Sequence, residues 1–160
     1  GASILLNVPT AEKDAQQLLK DLGRSVDGNV RMLAAWQLRR LRIRLNEIGD
    51  SDIQSWESRI PKLKATLRSG PYFMLGQANR LRRQHELAAA AFLKLPIVYD
   101  SNHPITARAC FEAARELETI GQRQEAARLY QEVVDRYGLS KASIEARLAI
   151  KEMINTQSQK

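Results

Sequence analysis

The chain has very little of what most site chemistry requires. Cys110 is its only cysteine, and His85 and His103 are its only histidines. A single thiol excludes an internal disulfide, and neither histidine has a second His, Cys or carboxylate at metal-ligand spacing, which argues against a zinc site. Glycine (8) and proline (5) are scarce, so there is no glycine-rich loop to cradle a phosphate. No stretch approaches the ~18 consecutive apolar residues of a membrane span. Asp100, Ser101 and His103 stand together, but neighbours in one loop do not make a catalytic triad. Asn102 or His103 reads instead as a helix cap. Cys110, beside Phe111 in an apolar stretch, reads as a packing residue. Glu112, Glu116 and Glu118 are spaced as a solvated helix face, with Arg108 and Arg115 available for pairing. No acid and base are visible in a common cleft, so the expectation is a non-enzymatic protein with no cofactor and no metal.

What is present favours helices. The composition is 44% hydrophobic and 27% charged, ordinary for a globular chain, and Ala, Leu, Arg, Gln and Glu are all good helix formers. At 160 residues the chain is one domain's worth and can bury a sizeable core. The formal charge is +7 and the sequence pI about 9.9, with arginine the main cation. That balance suits an anionic partner, whether nucleic acid, acidic peptide or membrane surface. A basic, merely solvated surface would give the same totals. The start, Gly1-Ala2-Ser3, carries no secretory pattern, and the compartment stays open, bacterial cytoplasm or cell envelope included.

Apolar spacing divides the chain into about eight helices. Ala2 to Val8 is a short apolar opening closed by Pro9, and Thr10 caps a helix through Leu22 whose inner face is Ala11, Ala15, Leu18, Leu19 and Leu22. The spacing predicts a second helix over Val30 to Glu47. Leu33, Leu41, Leu45 and Ile48 lie on one side of it and Met32, Trp36 and Ile43 on another, as in a helix between two neighbours. Ser51 caps a third helix, with Ile53, Trp56, Ile60, Leu63 and Leu67 at spacings of three and four, which Pro61 should split near Ile60. Further helices are expected over Pro71 to Leu81, Glu86 to Val98, Pro104 to Ile120, a segment carrying Ala126 to Tyr137, and Ser140 to about Ile154, before a frayed tail to Lys160. Trp36 and Trp56 read as core.

Inside this series lies an internal repeat. Phe73, Gln84, Ala88, Ala89 and Tyr99 recur 38 positions later as Phe111, Gln122, Ala126, Ala127 and Tyr137, and Phe92 and Leu95 recur as Tyr130 and Val133. A two-helix unit laid down twice cannot bury its apolar face alone and must stack. Leu75-Gly76, Ala88 twelve residues after that glycine and Phe92 four later resemble the tetratricopeptide repeat, and the second copy keeps Ala114, Gly121, Ala126 and Tyr130 in the same order. The unit is longer than that family's ~34 residues, and the proline that closes its second helix is missing in both copies. The resemblance covers residues 71–154, with 10–70 as degenerate hairpins of a single 1–160 helical-repeat domain. It implies an all-α, right-handed solenoid of stacked antiparallel hairpins that binds a peptide or partner protein in a groove lined by the first helix of each hairpin. Tyr137-Gly138, Ser140 and Glu145-Ala146-Arg147-Leu148 also look like the arrays of bacterial envelope assembly scaffolds.

Two candidate surfaces follow. On the resemblance, Phe73, Gln77 and Arg80 line the groove in the first copy and Arg108, Phe111 and Arg115 in the second, a mixture suited to an extended peptide with apolar and acidic residues. Phe73 and Phe111 could equally belong to the core between repeats. Separately, Arg39, Arg40, Arg42 and Arg44 end one helix and Arg80, Arg82 and Arg83 another. Side by side they would form a basic ridge able to hold nucleic acid or an acidic peptide. The helix dipole alone accounts for one or two cations per helix end. Oligomeric state is not legible.

Overall fold

The computed structural model describes residues 11–99 and 104–157. Among them are eight α-helices and no strand: α1 Glu12–Leu22, α2 Gly28–Arg44, α3 Asp50–Arg59, α4 Ser69–Leu81, α5 His85–Val98, α6 Pro104–Thr119, α7 Arg123–Arg136 and α8 Lys141–Gln157, with 3-10 turns at Ile60–Lys62 and Ala65–Leu67. The expected all-α class and helix number hold. The expected caps at Thr10 and at Asn102 or His103, and the apolar opening, lie outside the described residues. The chain forms two compact units that meet in sequence between Gly49 and Asp50.

In the first unit, α1 and α2 pack through Ala15, Leu19 and Ala34, with Leu38 against them. Leu18 and Leu22, expected on the inner face, are exposed, as are Leu33 and Leu45 of α2. The small Ala15 and Ala34 allow a close crossing that leaves the bulkier leucines outside. Helix α2 begins two residues earlier than the apolar pattern suggests, because the Asp27 carboxylate accepts hydrogen bonds from the Asn29 and Val30 amides. Trp36, of the first unit, and Trp56, of the second, are both buried.

The second unit opens with α3, which Pro61 ends: the chain tightens into the Ile60–Lys62 turn where the proline has no amide to donate. Asp50, rather than Ser51, already lies inside this helix. Two hairpins and a last helix follow, each α-helix packing on the next from α4 to α8. Helix α6 also packs directly on α4 and on α8, more extensively than α5 does on α7. The unit thus has an inner layer of α4, α6 and α8 beside α5 and α7. Ser140 starts α8, its hydroxyl accepting from the Ser143 amide at 3.1 Å. Helix α8 holds to Gln157, beyond the fraying point the sequence suggests.

The 38-residue echo is geometric as well as chemical. Gly76 lies where α4 crosses α5, and a Cβ there would come within 2.6 Å of the Phe92 ring. Ala114 occupies the same place beneath Tyr130, in the core shared by α6, α7 and α8. The Phe73–Phe92 ring centroids are 5.3 Å apart and those of Phe111–Tyr130 5.5 Å. The turn after each first helix is also repeated. Arg83 (φ 57°) and Gly121 (φ 83°) are both left-handed. The following amides, Gln84 N and Gln122 N, each reach a carbonyl five residues back at 2.9 Å. Helix α2 ends in the same motif, with Asn46 at φ 57° and Glu47 N on the Arg42 carbonyl at 2.9 Å. The first unit therefore shares the helix ending of the later hairpins, although its sequence lacks their small-then-aromatic spacing.

Candidate functional site

Alternate helices of the second unit are tied together by charge. Arg80 of α4 reaches two carboxylates of α6, its Nη2 lying 2.5 Å from Glu112 Oε2 and its Nε pairing with Glu116 Oε1. Arg108 of α6 holds Glu112 Oε1 at 2.5 Å and, on α8, Glu145 Oε2 at 2.7 Å. His85 Nδ1, at the start of α5, is 2.7 Å from the second oxygen of Glu116. Arg115 approaches Glu112 only at 3.5 Å and remains half exposed. One ladder thus runs across α4, α6 and α8.

Its physical centre is a pair of buried acids. Glu112 and Glu116 are 4% and 3% exposed, which corrects their reading as a solvated helix face. Their spacing along the helix is that of a surface stripe, but α4 lies against that stripe and its arginine neutralises it. Such acids are tolerable inside only because both oxygens are engaged, by Arg80 and Arg108 on Glu112 and by Arg80 and His85 on Glu116. For Arg108, burial works to lower the pKa, and Glu112 and Glu145 more than reverse it, so its pKa is raised. Two guanidinia also stack on rings: Arg80 lies 5.2 Å from the Phe92 centroid and Arg108 5.0 Å from that of Phe111.

The six groove residues therefore separate. Arg80, Arg108 and Arg115 converge on Glu112. Gln77 is half-buried on α4. Phe73 is half-buried against the core around Phe92, and Phe111 is 5% exposed within the core that includes Tyr130. Of the two readings left open for these rings, Phe111 follows the core one, since its ring faces α7. The expected pairing of Arg108 and Arg115 with Glu112 along α6 is present, whereas Arg80 as a partner of Glu112 and Glu116, Glu145 as a partner of Arg108, and the imidazole of His85 were not legible. A signal existed: the cross-helix pairs Arg80–Glu116 and Arg108–Glu145 are 36 and 37 residues apart, close to one repeat.

The arginines of the expected ridge lie in different units, Arg39 to Arg44 in the first and Arg80 to Arg83 in the second. Within their units several have structural work. Arg39 stacks on Trp36 at 4.8 Å, Arg42 donates to the Glu47 carbonyl at 2.8 Å, and Arg44 pairs with Glu12. Arg82 forms a two-bonded pair with Asp50 at 2.9 and 3.3 Å, while Arg83 is exposed at its left-handed turn. Arg40 is half-buried.

Cys110 is fully buried and its thiol is pushed up to about 12 by burial, then by Glu132. That environment suits packing rather than nucleophilic chemistry. Among the described residues no group of three or more His, Cys, Asp or Glu side chains is placed to hold a metal ion. No described helix is long and apolar enough to cross a membrane. Comparisons with known protein families, with curated proteins and with solved structures give no match for this chain.

Proposed function

We propose that the chain is a non-enzymatic, tetratricopeptide-like scaffold, a right-handed stack of hairpins that holds a peptide or partner protein along the surface of α4, α6 and α8. The observation that carries this reading is the charge ladder on those three helices. Arg80, Arg108 and Arg115 share Glu112, so their guanidinia are held in position before any ligand arrives, which lowers the ordering cost of binding. Arg115, with its single long contact, is the group best able to take a ligand carboxylate, and the half-buried Gln77 of α4 can supply backbone-directed hydrogen bonds. The direct packing of α4 on α6 and of α6 on α8 supports placing these helices on the inner side of the stack.

The test is capture on the immobilised chain from a lysate of the source cell, at low and high salt, with and without nuclease. An Arg115→Glu chain serves as the parallel bait. The reading expects a discrete protein that survives nuclease and moderate salt and is lost from the Arg115→Glu bait. Nucleic acid released by salt or nuclease, with Arg115→Glu capturing as well as the parent, would overturn it in favour of the arginine clusters at Arg39–Arg44 and Arg82–Arg83.

A further inference from the structure

Helix α8 repeats α6 with one face left uncovered. Against the preceding helix, α6 presents Ile105, Ala109 and Ala113 to the Ala88, Phe92 and Leu95 cluster of α5. The residues 37 positions later, Ala142, Ala146 and Ile150, pack in the cluster of Ala126, Tyr130 and Val133 on α7. With the register fixed by that face, the other face can be compared position by position. On α6 it consists of Ala107, Cys110, Phe111, Ala114 and Leu117, covered by α7. The matching residues of α8 are Ile144, Arg147, Leu148, Lys151 and Ile154. Here Ile144, Leu148 and Ile154 are 63%, 57% and 56% exposed, and Arg147 and Lys151 are exposed between them.

The two cations define what can lie there. Lys151 stands where Gly76 and Ala114 admit an aromatic ring, and Gly76 already has no space for a methyl group. A helix bringing Phe or Tyr to that crossing would meet the lysine stem. Arg147 stands where Cys110 does, and the α7 charges acting on Cys110 are Glu132 and, opposing it more weakly, Arg136, which is itself paired with Glu132. We propose that this face of α8 docks a partner's acidic amphipathic helix. Its apolar side covers Ile144, Leu148 and Ile154, with one carboxylate at the place of Tyr130 against Lys151 and another at the place of Glu132 against Arg147. A second copy fits less well, because pairing two α8 helices about a two-fold axis sets Arg147 and Lys151 against their own counterparts. A membrane surface would match the charge, but the uncovered positions are those that a single helix fills on α6.

The probe is a fluorescein-labelled peptide of residues 122–137 carrying Tyr130→Glu, titrated with the full chain and followed by anisotropy. The proposal expects saturable binding that weakens by about tenfold or more with Ile144→Ser/Leu148→Ser, and similarly with Lys151→Glu. A peptide with Tyr130→Lys should bind the Lys151→Glu chain better than it binds the parent. Circular dichroism of each chain verifies that these exposed substitutions leave the helices formed. Absence of binding, or equal binding by all chains, would overturn the proposal. So would a Leu148-dependent dimer in sedimentation equilibrium, or Leu148-dependent binding to anionic phospholipid vesicles without peptide binding.

Discussion

The hairpins α4–α5 and α6–α7 share a backbone but solve its packing with different chemistry. The crossing residue is Gly76 in one and Ala114 in the other, and the ring above it Phe92 or Tyr130. Position 80 of the first is position 118 of the second, and the partner changes with the ring. Arg80 stacks its guanidinium on the hydroxyl-free Phe92, while Glu118 accepts the Tyr130 hydroxyl at 2.9 Å. Burial, and then that bond, raise the Tyr130 pKa. Tyr72 packs on Tyr99 in the first hairpin, where the second has Cys110 and Tyr137. The lesson is that at the crossing and the ring above it the repeat preserves packing and hydrogen-bond satisfaction rather than residue identity, while Tyr72 and Cys110 show that other positions change size. Where one copy lost an acceptor it also lost the donor.

The largest expected effect comes from the ladder that joins the hairpins. Glu112→Gln leaves Arg80 and Arg108 without their shared countercharge. Breaking a buried pair costs about 3–5 kcal/mol, which the partly exposed guanidinia reduce to about 2–3 kcal/mol here. The expected result is a fall in the urea midpoint equal to that loss divided by the m-value, with the m-value itself unchanged. Arg115→Gln, removing only the long 3.5 Å contact, should cost under about 0.5 kcal/mol. Equal effects from the two would mean that Glu112 is not the centre of the ladder.

Next comes the crossing. Gly76→Ala forces the buried Phe92 ring to move, at about 1–3 kcal/mol, offset by about 1 kcal/mol of helix propensity. The reverse change, Ala114→Gly, loses that propensity and a buried methyl, for about 1–2 kcal/mol. Both substitutions should therefore lower the melting temperature. Adding Phe92→Leu to Gly76→Ala should cost less than the two single changes together, because the smaller side chain frees the space the methyl needs. Strict additivity would break the argument that glycine is there for the ring.

Smaller again is the exchange of ring partners. Tyr130→Phe removes one hydrogen bond and leaves Glu118 without its donor, worth about 1 kcal/mol. Glu118→Arg placed in the Tyr130→Phe background rebuilds the chemistry of the first hairpin and should recover part of the loss. A double-mutant cycle with a coupling near zero would show that positions 118 and 130 do not act as a pair.

How much of this was legible follows from range. Helix ends set by local chemistry were readable: Pro61 breaking α3, Ser140 capping α8 and Gly121 closing α6 each act within a few residues. The repeat was readable because the same volumes return at a fixed interval. The exposure of Leu18, Leu22, Leu33 and Leu45 was not, since amphipathic spacing says which residues share a side and not which side a neighbour covers. Glu112 and Glu116 failed for the same reason. Three- and four-residue spacing is identical for a solvated stripe and for one neutralised by an arginine 30 or more residues away; only the near-repeat separation of the pairs held that information.

The turns come last, with effects of about 1 kcal/mol or less, and they isolate the backbone. Asn46, Arg83 and Gly121 occupy one left-handed position at the ends of α2, α4 and α6, with the same hydrogen bonds behind them. A Cβ at Gly121 would meet nothing within 4 Å, so Gly121→Ala carries only the conformational cost, about 1 kcal/mol. Arg83→Gly removes that cost but enlarges the unfolded ensemble, leaving a net gain of about 0.5 kcal/mol. Asn46→Gly should be within a few tenths, since asparagine tolerates this region best among side-chain-bearing residues. Urea midpoints should thus fall for Gly121→Ala, rise for Arg83→Gly and hardly move for Asn46→Gly. If Arg83→Gly destabilised instead, the arginine would be retained for a contact of its side chain, and the turn in the first hairpin would no longer be the simple counterpart of the turn in the second.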